Sequence, residues 1–371
     1  MHLKNYKNQC FLSKILSKSV ELIFYSTGVN KLNLLRDTDM KFGLFGSAKA
    51  VRGGLDIDSS SGYKDWINYN IEAEALGFYS SFTVEHHFTG FGQVSASLNL
   101  LTYLAALTSN LRLGTAVMTL PWHNPVLLAE QAATLDLLSG GRLDFGVGKG
   151  YRFNEFNSFG ISMDEAEPRF HESIKIMKKC WSCDERWSFE GQFWHFHDVI
   201  VEPPCFQEPH PPLWLAAGNR EAIIRVAKMD ANLLLDQFSP LKSVFERVRT
   251  FNNAKKNNKT QGGGGKIAVA RALYIAKDEN DKIEAIESRM KARARVDALS
   301  QRPDGQNKAS IMLHKGNEEA LHGALIGTTD EIVDRLHQLK AGGVDYILLV
   351  DGGGGIQGLR KFTKDIQPQI N

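Results

Sequence analysis

Glu85, His86 and His87 follow directly on a short β-branched and aromatic run, FYSSFTV (78–84), and a glycine-punctuated stretch, FTGFG (88–92), comes next. Imidazole is the side chain that titrates closest to neutrality, so a histidine at a strand end suits proton transfer. The same pair also reads as loop histidines satisfied locally. A zinc site from His86, His87 and His123 is a third reading, weakened because adjacent residues on an extended segment point to opposite sides. A second group is Gly146-x-Gly148-Lys149-Gly150, which lets backbone approach a ligand closely and adds one fixed positive charge. Asn219 and Arg220, preceded by Gly218, open a helix, where free N–H groups and the positive dipole end favour an anion. Lys149, Arg169 and Arg220 can together hold a phosphate; the alternative is a tight loop with surface charges. The glycine motif fails as a dinucleotide fingerprint, because the third-glycine spacing and the downstream acid are wrong. Cys180 and Cys183 form a CxxC, but no second pair or histidine pair at zinc-ligand spacing accompanies them, so a structural reading is preferred.

These residues need elements to position them. From Met40 onward, near-continuous apolar runs alternate with amphipathic ones. Strands are predicted at KFGLFG (41–46), FYSSFTV (78–84), LRLGTAVMTL (111–120), RLDFGVG (142–148), LWLAAG (213–218), ANLLLDQF (231–238), KIAVARALYIA (266–276) and VDYILLVD (344–351). Helices are predicted over 63–77, 95–108, 125–138, 165–181, 219–229, 240–257 and 278–299, and over a capped segment with Thr328 or Thr329 at its start. In the first of these, Tyr63, Ile67, Ile71 and Ala75 are expected to form the apolar face. Residues 187–201 alternate as an inserted hairpin, and 300–327 reads as irregular. Strands buried on both faces look like this in parallel sheets. Eight such units predict a (β/α)₈ TIM barrel with insertions, with a doubly wound open sheet as the rival. Barrel chemistry gathers at the C-terminal ends of the strands, and Glu85, His86, His87, Gly148, Lys149 and Gly218–Arg220 all fall there.

Composition sets the outer bounds. The chain has 371 residues, 43% hydrophobic and 23% charged, with net charge +2, which suits a globular protein with a large core. That charge argues against nucleic acid or a membrane surface as main partner, and no apolar stretch is long enough to cross a bilayer. Four cysteines are too few for a disulfide framework and favour a reducing, cytoplasmic compartment. Residues 1–39, lysine-rich and without an acid before Glu21, stand apart. They are read as an upstream start or a loosely ordered arm, with a targeting segment as the alternative.

Taken in series, VEHHFTGFG, LRLGTAVMTLPWHNPVLLAEQAATLDLLSGGRLDFGVGKG and FNSFGISMDEAEPRFHE resemble the bacterial luciferase-like flavin-dependent monooxygenases, most strongly the alkanal monooxygenase α chain. The resemblance runs from Met40 to the C-terminus. It implies a (β/α)₈ barrel that takes reduced FMN from a separate flavin reductase and reacts it with O2. A C4a-hydroperoxyflavin then oxygenates a small organic substrate, such as an aldehyde. By motif, His86 corresponds to the catalytic histidine, with Glu85 and His87 as its active-site neighbours. Ala116 and Val117 fall where the family has a non-prolyl cis peptide beneath the isoalloxazine ring. Lys149 and Arg169 correspond to arginine positions near the flavin phosphate. A homodimer is implied in the same way.

The departures limit the reading. The family's reactive cysteine position is Gly148 here, a Glu-Ser pair near the phosphate becomes Gly218–Asn219, and Lys149 replaces an arginine. A lysine is a point charge rather than a fork, so the phosphate geometry would differ. Residues 300–327 match poorly where luciferase carries its mobile loop, and light emission is not predicted. Two other readings are a deazaflavin F420-dependent dehydrogenase on the same barrel and a non-catalytic flavin-binding subunit. His86 argues against the last.

Overall fold

The computed structural model describes residues 39–51, 56–257, 265–305 and 323–371. Its barrel unit comprises Met40–Asn371. The reading of residues 1–38 as an extension, and that of 306–322 as irregular, lie outside the described residues.

Eight parallel strand positions close into a barrel. β1 (Lys41–Gly46) pairs with β2 (Ser80–Thr83), β2 with β3 (Arg112–Thr115), and β3 with β5 (Leu143–Gly148). β8 (Leu213–Ala216), β9 (Asn232–Leu235), β10 (Ile267–Ile275) and β12 (Tyr346–Asp351) complete the circuit back to β1. Closure excludes the open doubly wound sheet. β6 (Trp187–Glu190) and β7 (His195–Val199) form the antiparallel hairpin inserted before β8.

The expected third strand is interrupted. Ala116–Val117 is a cis peptide, and beyond it β4 (Met118–Thr119) resumes pairing with β5. Gly114 to Met118 takes five residues where the paired Asp144 to Val147 takes four. The surplus residue is a bulge, of the kind that re-aims backbone at barrel rims. The irregular reading of 300–327 also needs correction at its end, because β11 (Leu325–Gly327) is a strand on β10. β10 runs nine residues against the four of β9, so its overhanging edge is left for β11 to satisfy.

Among the described residues the α-helices are α1 (Ser61–Ala75), α2 (Ser97–Leu107), α3 (Pro125–Leu138), α4 (Phe153–Ser158), α5 (Ala166–Ser182), α6 (Arg220–Lys228), α7 (Leu241–Asn257), α8 (Glu279–Ser300), α9 (Thr329–Ala341) and α10 (Gly355–Asp365). Local signals explain several starts. Asn124 caps α3 by accepting from Val126 N and Leu127 N, with Pro125 in the first turn. Thr328 and Glu331 form a capping box on α9. The face expected for α1 drifts, since Ile67, Asn70 and Ala73 are buried while Ile71 is 37% exposed. A strict four-residue spacing outruns the 3.6-residue turn, so its members rotate off the core side.

The barrel interior is filled by Phe82, Trp214, Leu234, Ala268, Ala270, Tyr346 and Leu348. Phe82 and Trp214 meet edge to face at 5.6 Å, and the Phe82 ring lies so close to Gly114 that a Cβ there would meet it at 2.3 Å. The barrel interior at this level is thus a packed core. Cys180 belongs to the shell between strands and helices, where burial pushes its thiol up to about 12. That matches a structural CxxC.

Candidate active site

The segment after β2 is built around one carboxylate. Glu85 is 2% exposed. Its Oε1 accepts from His87 Nε2 at 2.7 Å, His123 Nε2 at 2.6 Å and Trp122 Nε1 at 3.2 Å, and its Oε2 from Thr119 N at 2.8 Å. Burial raises its pKa, but the bonds from His123 and His87 outweigh burial and hold it at about 2. Both histidines donate Nε2–H to a fixed anion, which sets their tautomer. Trp122 stacks on Phe159 at 5.0 Å, and His87 meets Phe159 edge-on at 4.9 Å. Glu85 and His87 therefore form a braced wall joining the ends of β2 and β4. Both stand beside His86 at the rim, with their side chains committed to each other.

His86 faces elsewhere. Its Nδ1 lies 3.1 Å from Glu155 Oε1 on α4, an oxygen that also accepts His87 N at 2.9 Å. Adjacent histidines on extended chain do diverge, one to Glu85 and one to Glu155. Burial is the largest influence on His86 and lowers its pKa. The Glu155 bond opposes that, and the charge of Arg152 adds to the lowering. With Nδ1–H given to Glu155, Nε2 keeps its lone pair as a proton acceptor. Glu155 and Arg152 were not singled out in the sequence. Their signal was position alone, an acid and a base just past a strand end.

The other predicted residues line the β4–β5–β8 side. Ala116 and Val117 are half-buried and pack on the barrel interior. Gly148 ends β5 opposite Thr119, where a Cβ would meet Val117 Cγ2 at 2.6 Å. Lys149 Nζ is 2.7 Å from Glu167, which Arg225 also reaches at 2.6 Å. Arg169 pairs with Glu165 at 2.8 Å and lies over the Phe193 ring. Asn219, following Gly218, caps α6 through Ala222 N, and exposed Arg220 begins that helix. Three cations, Lys149, Arg169 and Arg225, thus share two carboxylates, with Arg220 at the helix N-terminus beside them and Arg225 a member that sequence reading missed. This donor set fits a phosphate, and the half-buried Ala116–Val117 ledge gives an apolar surface for a ring.

The Luciferase-like monooxygenase family model matches residues 40–346. The chain is 28% identical to the FMNH(2)-dependent dimethylsulfone monooxygenase of Pseudomonas putida, over 80% of this chain and 87% of that one. It is 27% identical to the oxygenase component of the flavin-dependent trigonelline monooxygenase of Acinetobacter baylyi, over 83% and 90%. A shorter match, 33% identical over 41% and 46%, is to the F420-dependent glucose-6-phosphate dehydrogenase of Kineococcus radiotolerans. Monooxygenase RslO1 from Streptomyces bottropensis superposes with a TM-score of 0.75 at 25% identity, covering 90% of this chain and 100% of that one. On its closed barrel and a family match from residue 40 to 346, the chain belongs to the luciferase-like monooxygenase family.

Proposed function

We propose that this protein is the oxygenase of a two-component system, taking reduced FMN from a separate reductase and using O2 to oxygenate a small organic substrate. The observation that carries the reading is the His86–Glu155 pair at the same rim as the cationic edge around Lys149. Lys149, Arg169, Arg220 and Arg225 would hold the phosphate, with Gly148, Gly218 and Asn219 giving close backbone approach. Ala116 and Val117 would lie under the ring. Bound reduced FMN would supply oxygen activation, through the C4a-hydroperoxyflavin that the family resemblance implies. His86, neutral and oriented by Glu155, would accept and return a proton through Nε2. The wall of His87, Trp122, Phe156 and Phe159 would exclude water, with Glu85 as its brace. The motif likeness to the alkanal monooxygenase α chain favours an aldehyde-sized substrate.

The F420-dependent relative supports a second reading, because the cationic edge suits any phosphate-bearing flavin. The half-buried His86–Glu155 pair speaks against a purely binding subunit. A homodimer belongs to the same proposal: the neighbouring helices α2 and α3 expose Tyr103, Leu107, Leu127 and Leu138. So does a cytoplasmic site of action, which the cysteine content favours. The family match beginning at residue 40 supports treating residues 1–39 as outside the catalytic unit.

Stopped-flow absorbance tests the reading directly. Protein is mixed anaerobically with FMNH2 and then with oxygenated buffer. A transient band distinct from FMNH2 and FMN, shortened by His86→Ala, is expected. FMNH2 oxidising at its protein-free rate would sink the FMN reading and leave F420 as the cofactor to titrate.

A further inference from the structure

Arg152 occupies the loop between β5 and α4 and is 3% exposed. Its Nε and Nη1 meet no hydrogen-bond partner among the described residues. The nearest carboxylate is Glu155, whose Oε1 lies 3.9 Å from Nη1, beyond hydrogen-bond reach. That oxygen already accepts His87 N and lies against His86 Nδ1. The guanidinium also lies over the Tyr151 ring, 5.8 Å from its centroid. A buried arginine with N–H groups left over is uncommon, because each unpaired donor has lost its water and received nothing in return.

Its position says which ligand would complete it. The cations suited to a cofactor phosphate lie along β5, α5 and α6, where Glu165 and Glu167 already partner three of them. Arg152 instead stands beside His86, close enough for its charge to weigh on that imidazole. A planar guanidinium there matches a planar oxyanion, and a carboxylate is the smallest organic group that presents one. The local charge count agrees. Arg152 and Glu155 balance while His86 is neutral, so an arriving carboxylate would be met by a proton held on His86.

We infer that Arg152 binds a carboxylate of the substrate next to His86, so that the substrate is a small organic acid rather than a neutral aldehyde. This rests on the oxygenase reading above for its site but not for its test. The full chain is titrated calorimetrically with acetate, hexanoate, benzoate and nicotinate, and with the amide of each. Oxidised FMN is titrated separately by flavin fluorescence.

At least one acid is expected to bind tenfold or more tighter than its amide. Arg152→Met should erase that preference and Arg152→Lys retain part of it, both with wild-type circular dichroism. Equal binding of acids and amides by the wild type, or no binding by either, overturns the inference without any variant having to fold. A preference that survives in Arg152→Met also overturns it. Loss of FMN binding in Arg152→Met would assign the guanidinium to the cofactor instead, with the same result. An acid preference in a protein that never binds flavin leaves Arg152 in place and removes the oxygenase reading.

Discussion

His86 Nδ1 lies 3.1 Å from Glu155 Oε1, and that same oxygen accepts the backbone N–H of the next residue at 2.9 Å. One carboxylate on a short helix thereby orients the ring and anchors the peptide beside it. Nearly seventy residues of chain separate the two groups.

If His86 moves the proton, replacing it should cost far more than disturbing its holder. His86→Asn is expected to slow single-turnover oxygenation by about a hundredfold or more, within the usual range for a general acid–base group. Glu155→Gln keeps a hydrogen-bond acceptor and should cost roughly tenfold, with the pH dependence displaced. Equal losses in the two variants would mean that the pair acts structurally.

Glu85 should behave as a brace. Glu85→Ala strands four donors in a closed site, and removing one partner of a buried charged network costs about 3–5 kcal/mol. Urea unfolding of the variant is the measurement. Full stability with lost activity would place Glu85 among the reacting groups instead.

Acid should weaken the fold in two stages. His86 is held below its ordinary 6.5 by burial, and His210 is lowered for the same reason. In that window the unfolded chain binds more protons than the native one. The stability from neutral His86 and His210 is therefore full above 6.5 and is lost as pH falls through their lowered values. Glu85, at about 2 against its ordinary 4.5, contributes stability that is full above 4.5 and is lost as pH falls toward 2. Melting temperature recorded from neutral pH downward should show a first decline below 6.5 that His86→Gln reduces. A wild-type curve flat until 4.5 would contradict the histidine part.

The dimer proposal predicts a concentrated weak point on α3. Leu138 is 65% exposed and Leu127 56%, so a charge at either costs the isolated barrel little while spoiling an apolar contact. Leu138→Glu should shift the mass seen by light scattering from two chains to one at micromolar protein. A wild-type monomer, or a variant still dimeric, rejects this surface.

The barrel was legible because its signal is repeated. Runs such as Leu143–Gly148 are buried along their whole length, and burial on both faces dictates apolar residues whatever the neighbours are. Asn124 and Thr328 mark helix starts by chemistry acting within three residues. Elements without such local marks were missed. α4 is short and polar, and β11 exists because β10 overhangs β9.

Within the site, the same division holds. The residue types and their order along the chain determined that Glu85, His86, His87 and Lys149 would meet at one rim, since strand ends in a closed barrel share a side. Which imidazole would lie on Glu85 and which on Glu155 was decided by tertiary structure. Glu85 draws His87 and His123, Glu155 draws His86, and Arg152 is left short of acceptors among the described residues. Those partners come from separate loops, and hydrogen-bond geometry between loops is set by three-dimensional packing that no spacing within one segment encodes.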